Sequence, residues 1–249
     1  MNYKKWMVWI IFFVIATIYD YEITNFLYNP NNMFANFFAY YAYIPIVLCL
    51  ILYFSYEKHK YDTYLGAFFS FYSLYLLFYG MTFSLRAILA ICLSIPLYNI
   101  IKKVFYKFTG YHESFYFYLK YMSIVIILSF VCVNLIKVVW GRLRYRDMLN
   151  ASMFTPWYQI HFFSGNASFP SGHTMIASCS LCFLRLKDYI IIHMKQTTLK
   201  LIVYSFIISM IISRLMIGAH FLSDTLVAYA IVSIINEFVY KKLEVTNES

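Results

Sequence analysis

Apolar residues fall along this chain in long blocks, with no strand-like alternation. Runs near Trp6–Asn25, Phe34–Tyr56, Tyr64–Met81, Leu85–Ile101, Phe115–Val139, Gly172–Leu186, Leu199–Gly218 and Phe221–Tyr240 carry few charges. A helix needs about 20 apolar residues to cross the hydrocarbon core of a bilayer. The blocks therefore predict an all-α, polytopic transmembrane helical bundle of about eight spans, with six as the fallback. The first block follows Lys4 and Lys5 much as the apolar region of a signal peptide would. It lacks a small-x-small cleavage site, so it predicts a retained helix. Gly80, Thr82, Ser84 and Arg86 interrupt the stretch 61–101 midway and predict a tight turn between two helices.

Composition excludes the other classes. Of 249 residues, 62% are hydrophobic and 12% charged, against about 45–50% and about 25% in soluble domains. So few charges could not cover a water-soluble surface. Disorder is excluded as well, because aromatics make up 22% of the chain and disordered segments are poor in them. A single integral membrane domain over 1–249 is the economical organisation. Five cysteines all lie in apolar stretches. Cys179 and Cys182 have a CxxC spacing but no second pair, and a structural zinc site wants four ligands, so they read as small buried hydrophobes.

The formal charge is +9, and its distribution points to a membrane partner and away from nucleic acid. With an inside N-terminus and eight spans, the cytoplasmic segments hold Lys4, Lys5, Lys58, Lys60, Lys102, Lys103, Lys107, Lys120, Arg185, Lys187, Lys195, Lys200, Lys241 and Lys242, which is 14 of 20 basic residues. The outside would hold Arg86, Lys137, Arg142, Arg144, Arg146 and Arg214. This departs from the positive-inside pattern at essentially one loop and one helix end. Binding an anion there is the natural reason.

Three segments carry that exception. The first runs from Lys137 through Arg142 and Arg144 to Tyr145 and Arg146. The second is Pro170-Ser171-Gly172-His173. The third runs from Ser213-Arg214 to His220 and Asp224. Each lies at the end of an expected helix, and the eight-span arrangement puts all three on one side. Lys137, Arg144 and Arg214 would be costly to leave unpaired at the hydrocarbon boundary. The acids near them in sequence are Asp147 and Asp224. Three converging cations suit a phosphate, whose oxygens accept forked guanidinium bonds.

Pro170-Ser171-Gly172 opens a helix whose free N–H groups and positive dipole end favour an anion. Pro needs no donor at a helix start, and Gly172 lets a ligand come close to the backbone. His220 and Asp224 stand four apart on one helix face. The carboxylate can there accept Nδ1–H and leave Nε2 free as a nucleophile. His173, if protonated beside bound phosphate, can donate to a leaving oxygen. The other histidines (His59, His112, His161 and His193) fall in expected loops, where a solvated side chain is the default. Ser213 reads as a hydrogen-bonding support, and Arg142 and Arg146 as contacts to a second phosphate or headgroup, or as interfacial anchors.

In order and spacing the three segments resemble the signature of the type 2 phosphatidic acid phosphatase (PAP2) superfamily, written K-x6-RP, PSGH and SR-x5-H-x3-D. Lys137-x6-Arg144, Pro170-Ser171-Gly172-His173 and Ser213-Arg214-x5-His220-x3-Asp224 match it; Tyr145 stands where the family usually has Pro. Pro at that point is a backbone feature, so altered loop geometry with retained phosphate contacts is expected. The resemblance implies a catalytic core over 115–240, with N-terminal spans of uncertain role over 1–110. It implies that His220 attacks phosphorus and Asp224 orients it. His173 would protonate the leaving group and later help activate water. Lys137, Arg144, Ser171, Gly172 and Arg214 would hold the phosphoryl oxygens. No metal or other cofactor is implied.

The expected activity is hydrolysis of a lipid phosphate or lipid pyrophosphate at the outer face of a cell membrane, with both chain termini cytoplasmic. A non-catalytic lipid-binding protein or transporter with the same basic pocket, and a lipid phosphotransferase, are the alternatives. Paired histidines exceed what binding alone needs. The sequence also shows no pair of broken helices of the kind secondary transporters use.

Overall fold

A computed structural model describes residues 3–78, 81–109, 113–188 and 195–247; Gly80, His112 and His193 lie outside the described residues. The architecture is all-helical, with 79% helix and no strand among the described residues. In chain order the helices are α1 (Tyr3–Leu27), α2 (Met33–Tyr41), α3 (Ile44–Phe54), α4 (Asp62–Leu77), α5 (Phe83–Thr109), α6 (Glu113–Trp140), α7 (Gly172–Ser178), α8 (Gln196–Met216) and α9 (Leu222–Asn247). A 3-10 stretch, Cys179–Asp188, continues α7.

Among the described residues, six segments are long and apolar enough to cross a membrane: Trp6–Leu27, Met33–Phe54, Phe83–Lys107, Glu113–Asp147, Gln196–Met216 and Leu222–Leu243. By length and composition the count is the fallback of the sequence reading. Yet α6 and α8 end side by side, and the chain returns between them through α7 and the 3-10 stretch. Two of the eight expected spans are shorter than these six. The first, Tyr64–Met81, becomes the 16-residue α4. The second, Gly172–Leu186, becomes the 7-residue α7 and the 3-10 stretch after it. Met33–Phe54 is itself two helices. Asn32 caps α2 by accepting the Ala35 N–H at 3.0 Å. The chain then turns at Ala42 and Tyr43, and Pro45 sits in the first turn of α3, where its missing donor costs nothing.

The core lies where α6, α7 and α9 meet. Tyr118, Tyr121, Met122 and Val125 of α6 pack with Met175 of α7 and with Ala228 and Val232 of α9. Helix α1 lies against α8 and α9, and its Trp9 indole donates to the Leu226 carbonyl at 2.9 Å. Helices α4 and α5 pair with each other and with α3 on the other flank. The outward faces stay apolar: Ile88, Ile91 and Ile95 of α5 are all exposed, as expected of surfaces solvated by lipid tails. Helices α6 and α8 end, and α7 and α9 begin, at one end of the bundle, and this gathers the three motif segments.

Candidate active site

Lys137 sits in the last turn of α6. The chain leaves that helix through Gly141 at φ +63°, where a side chain would overlap the His161 carbonyl oxygen. Arg144 follows in extended conformation, φ −81° and ψ 150°, the conformation that a following Pro would impose. Tyr145 thus keeps the local backbone and adds contacts a Pro could not make. Its hydroxyl donates to the Asn25 side-chain oxygen of α1 at 2.6 Å, and its ring packs on Tyr28 and Phe221. The next residue, Arg146, donates its backbone N–H to the Gly218 carbonyl at 2.9 Å. The first motif is thereby fastened to the turn before His220.

The second motif is fastened to both others. Ser171 caps α7, its hydroxyl oxygen accepting from the Thr174 N–H at 3.3 Å and from the Thr174 hydroxyl at 3.0 Å. The Ser171 N–H donates to the Asp224 carbonyl at 3.1 Å. A Cβ on Gly172 would lie 3.4 Å from Lys137 Nζ, so the ammonium sits over the first turn of α7.

His220 is 3% exposed. The sequence reading has Asp224 accepting its Nδ1–H; the geometry differs. Nδ1 lies 2.6 Å from the Ser168 carbonyl, and Asp224 Oδ2 stands behind at 3.7 Å as a charge contact. Ser168 joins the two, because its hydroxyl donates to Asp224 Oδ2 at 2.6 Å. With its proton on Nδ1 the imidazole presents an unprotonated Nε2. Burial lowers the pKa of His220 to about 4; Asp224 works against that shift, and the charges of Arg214 and Lys137 add to it. His173 lies within electrostatic reach of His220, Arg214 and Lys137. Its Nε2 is 3.0 Å from the Ala39 carbonyl of α2, and its ring is 6.4 Å from that of Tyr43. When Nε2 donates to Ala39, Nδ1 is the remaining proton site.

Arg144 Nε and Arg214 Nε are buried without a hydrogen-bond acceptor. Buried guanidinium donors are rarely left so, and a bound anion would satisfy them. Ser213 is a support: its hydroxyl donates to the Ala35 carbonyl at 2.7 Å. Arg146 is solvent-exposed, 3.7 Å from Asp147, and lines a cavity of about 290 Å³ with Tyr21, Tyr28 and Tyr145.

Arg142 corrects the sequence reading. It is neither an interfacial anchor nor a phosphate contact, being 0% exposed. Its Nη2 pairs with Asp20 of α1 at 2.9 Å, and its Nη1 pairs with Asp224 at 2.5 Å. Two residues of this network, Asp20 and Ser168, are absent from the sequence reading. Asp20 carried a signal, as the single acid between Trp6 and Tyr21 of the first apolar run; an ionisable group there calls for a buried partner. Ser168 carried none, since it acts largely through its backbone oxygen.

These features define a class: a polytopic helical membrane protein that gathers cationic side chains and two histidines at one end of its bundle. The family model of the PAP2 superfamily matches residues 117–245, slightly more than half of the chain. The chain belongs to the PAP2 superfamily, a membership that suggests phosphatase activity. No curated protein and no solved structure matches it.

Proposed function

We propose that the protein hydrolyses a lipid phosphate or lipid pyrophosphate through a phosphohistidine on His220, at the extracytoplasmic face of the membrane. The observation that carries the reading is the hydrogen bond from His220 Nδ1 to the Ser168 carbonyl, which leaves Nε2 as a lone-pair nucleophile. Lys137, Arg144, Arg214, the Ser171 hydroxyl and the first-turn N–H groups of α7 would hold the three phosphoryl oxygens as charge shifts onto them. Nε2 attacks phosphorus, the bond to the leaving oxygen breaks, and His173 supplies that oxygen with a proton. Water then gives a proton back to His173 and attacks phosphorus, the N–P bond breaks, and phosphate leaves.

A lipid substrate is favoured over a soluble one by an apolar cavity of about 180 Å³ between α3, α4 and α5, lined by Ile44, Leu48, Ile51, Leu74 and Leu97 among others. Ile44 follows Tyr43, whose ring faces His173, so a hydrocarbon tail here would extend from the leaving-group side. The extracytoplasmic assignment rests on the Lys/Arg distribution and on chain direction. Helix α1 runs toward the site and α9 away from it, so the start of α1 and the end of α9 share the opposite end of the bundle, which supports this reading. The test is phosphate release from a panel of lipid phosphates and pyrophosphates by purified protein without added metal. Wild type should release phosphate and His220→Ala should not; release undiminished in His220→Ala would overturn the proposal. Label passing to a lipid acceptor and not to water would mark a phosphotransferase.

A further inference from the structure

One buried carboxylate of the bundle belongs to a helix that the family match does not reach. Asp20 of α1 is 2% exposed, and both its partner Arg142 and Asp224 beyond it are 0% exposed. One guanidinium serves both carboxylates, Nη2 to Asp20 and Nη1 to Asp224, while Nε donates to the Thr155 carbonyl at 2.9 Å. Asp20 also does what an N-cap residue would do for α9. Its Oδ1 accepts the Ser223 N–H at 2.9 Å, and its Oδ2 accepts the Ser223 hydroxyl at 2.5 Å. That hydroxyl in turn accepts from Arg142 Nη1 at 2.8 Å. Asp20 thereby holds the first turn of the helix that carries Asp224, by a carboxylate brought from another helix.

We infer that Asp20 is a positioning residue of the catalytic site, fixing Asp224, and through it His220, by way of Arg142 and Ser223. The inference rests on the reading of His220 as nucleophile. Asp224 has two oxygens and two tasks. Oδ1 is taken by Arg142, and Oδ2 takes the Ser168 hydroxyl and the Phe221 N–H. Without Asp20 the whole charge of Arg142 falls on Asp224, and the carboxylate becomes a weaker counter-charge to the imidazole. A residue that merely pinned α1 to the bundle would affect folding and leave the chemistry alone.

The experiment uses full-length protein in nanodiscs and reads kcat, KM, melting temperature and the NMR titration of the His220 ring. The ring is faced by Asp224 and, within electrostatic reach, by Arg214, Lys137 and His173. In Asp20→Asn, kcat should fall on the order of 10- to 100-fold with KM within about twofold, as expected for a displaced catalytic group. The His220 midpoint should move down by about half a unit or more. Wild-type kcat and an unmoved midpoint in folded Asp20→Asn would overturn the inference.

Should that variant not fold, the double variant Asp20→Leu/Arg142→Met is read in the same way: it removes both charges and leaves Asp224 held by the Ser168 hydroxyl and the Phe221 N–H. It frees Asp224 to face the imidazole, so the His220 midpoint should move up while kcat falls; wild-type values of both would again overturn the inference. The titration needs no turnover. A wild type that releases no phosphate, with midpoints that shift in these opposite directions, would sink the phosphatase reading and leave the role of Asp20 standing.

Discussion

The Ser168 carbonyl oxygen lies 2.6 Å from Nδ1 of His220, inside the 3.7 Å that separates Nδ1 from Asp224. The tautomer is therefore set by a backbone oxygen, with the carboxylate acting through its charge and through the Ser168 hydroxyl. In Ser168→Ala the carbonyl remains and the hydroxyl bond to Asp224 is lost. Turnover should fall roughly tenfold, the size of one charge-assisted hydrogen bond of about 1.5 kcal/mol. Steady-state kinetics with a lipid phosphate checks this. Loss as complete as in His220→Ala would mean that Ser168 takes part in the chemistry directly.

The pH dependence follows from burial of the imidazole. The pKa of His220 is held at about 4, below the roughly 6.5 of an unfolded chain. The unfolded state takes up this proton first as pH falls. The stability that the neutral ring contributes is thus full above about pH 6.5 and drains away between there and about pH 4. Protonation also removes the nucleophilic lone pair. The acid limb of kcat/KM, corrected for ionisation of the substrate, should fall near pH 4 and not near pH 6.5. A limb at the higher value would mean a solvated His220.

Arg214 is 5% exposed, with its Nε lacking an acceptor. Replacing it by Met should lower kcat/KM by about 10²- to 10³-fold. Stability without ligand should hold or rise by on the order of 1 kcal/mol, since a desolvated charge is removed. Vanadate at about 100 times its Kd should stabilise wild type by about 2.7 kcal/mol and leave Arg214→Met unmoved. Thermal melts with and without vanadate read both effects. Equal stabilisation of the two proteins would place the oxyanion elsewhere.

Gly218 tests the scaffold apart from the chemistry. It holds φ +63°, and a Cβ there would come within 2.6 Å of the Tyr28 ring. Gly218→Ala should cost about 1–3 kcal/mol from backbone strain, with the crowding of Tyr28 added. It should also loosen the Arg146–Gly218 fastening two residues before His220. A melting temperature equal to wild type would contradict the turn geometry.

Much of this site was legible because its chemistry is carried by residue type at fixed spacing. Lys137, Arg144, Ser171, Gly172, His173, Arg214, His220 and Asp224 were named together through the resemblance of their segments to the PAP2 signature. Helical class and membrane insertion followed from block hydrophobicity, which reads element type well and element length poorly. It could not foresee the short α4, or the 3-10 continuation of α7, because tertiary packing settles those lengths. Arg142 was misread for a related reason. Its sequence neighbours are cations, whereas its partners Asp20 and Asp224 lie 122 and 82 residues away. Ser168 could not be read at all, since any residue has a carbonyl.

The central claim is that phosphorus bonds to Nε2 of His220 during turnover. Purified protein mixed with a lipid phosphate carrying labelled phosphorus, quenched in base and digested, should yield a base-stable, acid-labile phosphohistidine in the peptide containing His220, absent from His220→Gln. Label on His173, or wild-type phosphate release with His220→Gln still active, would contradict the account.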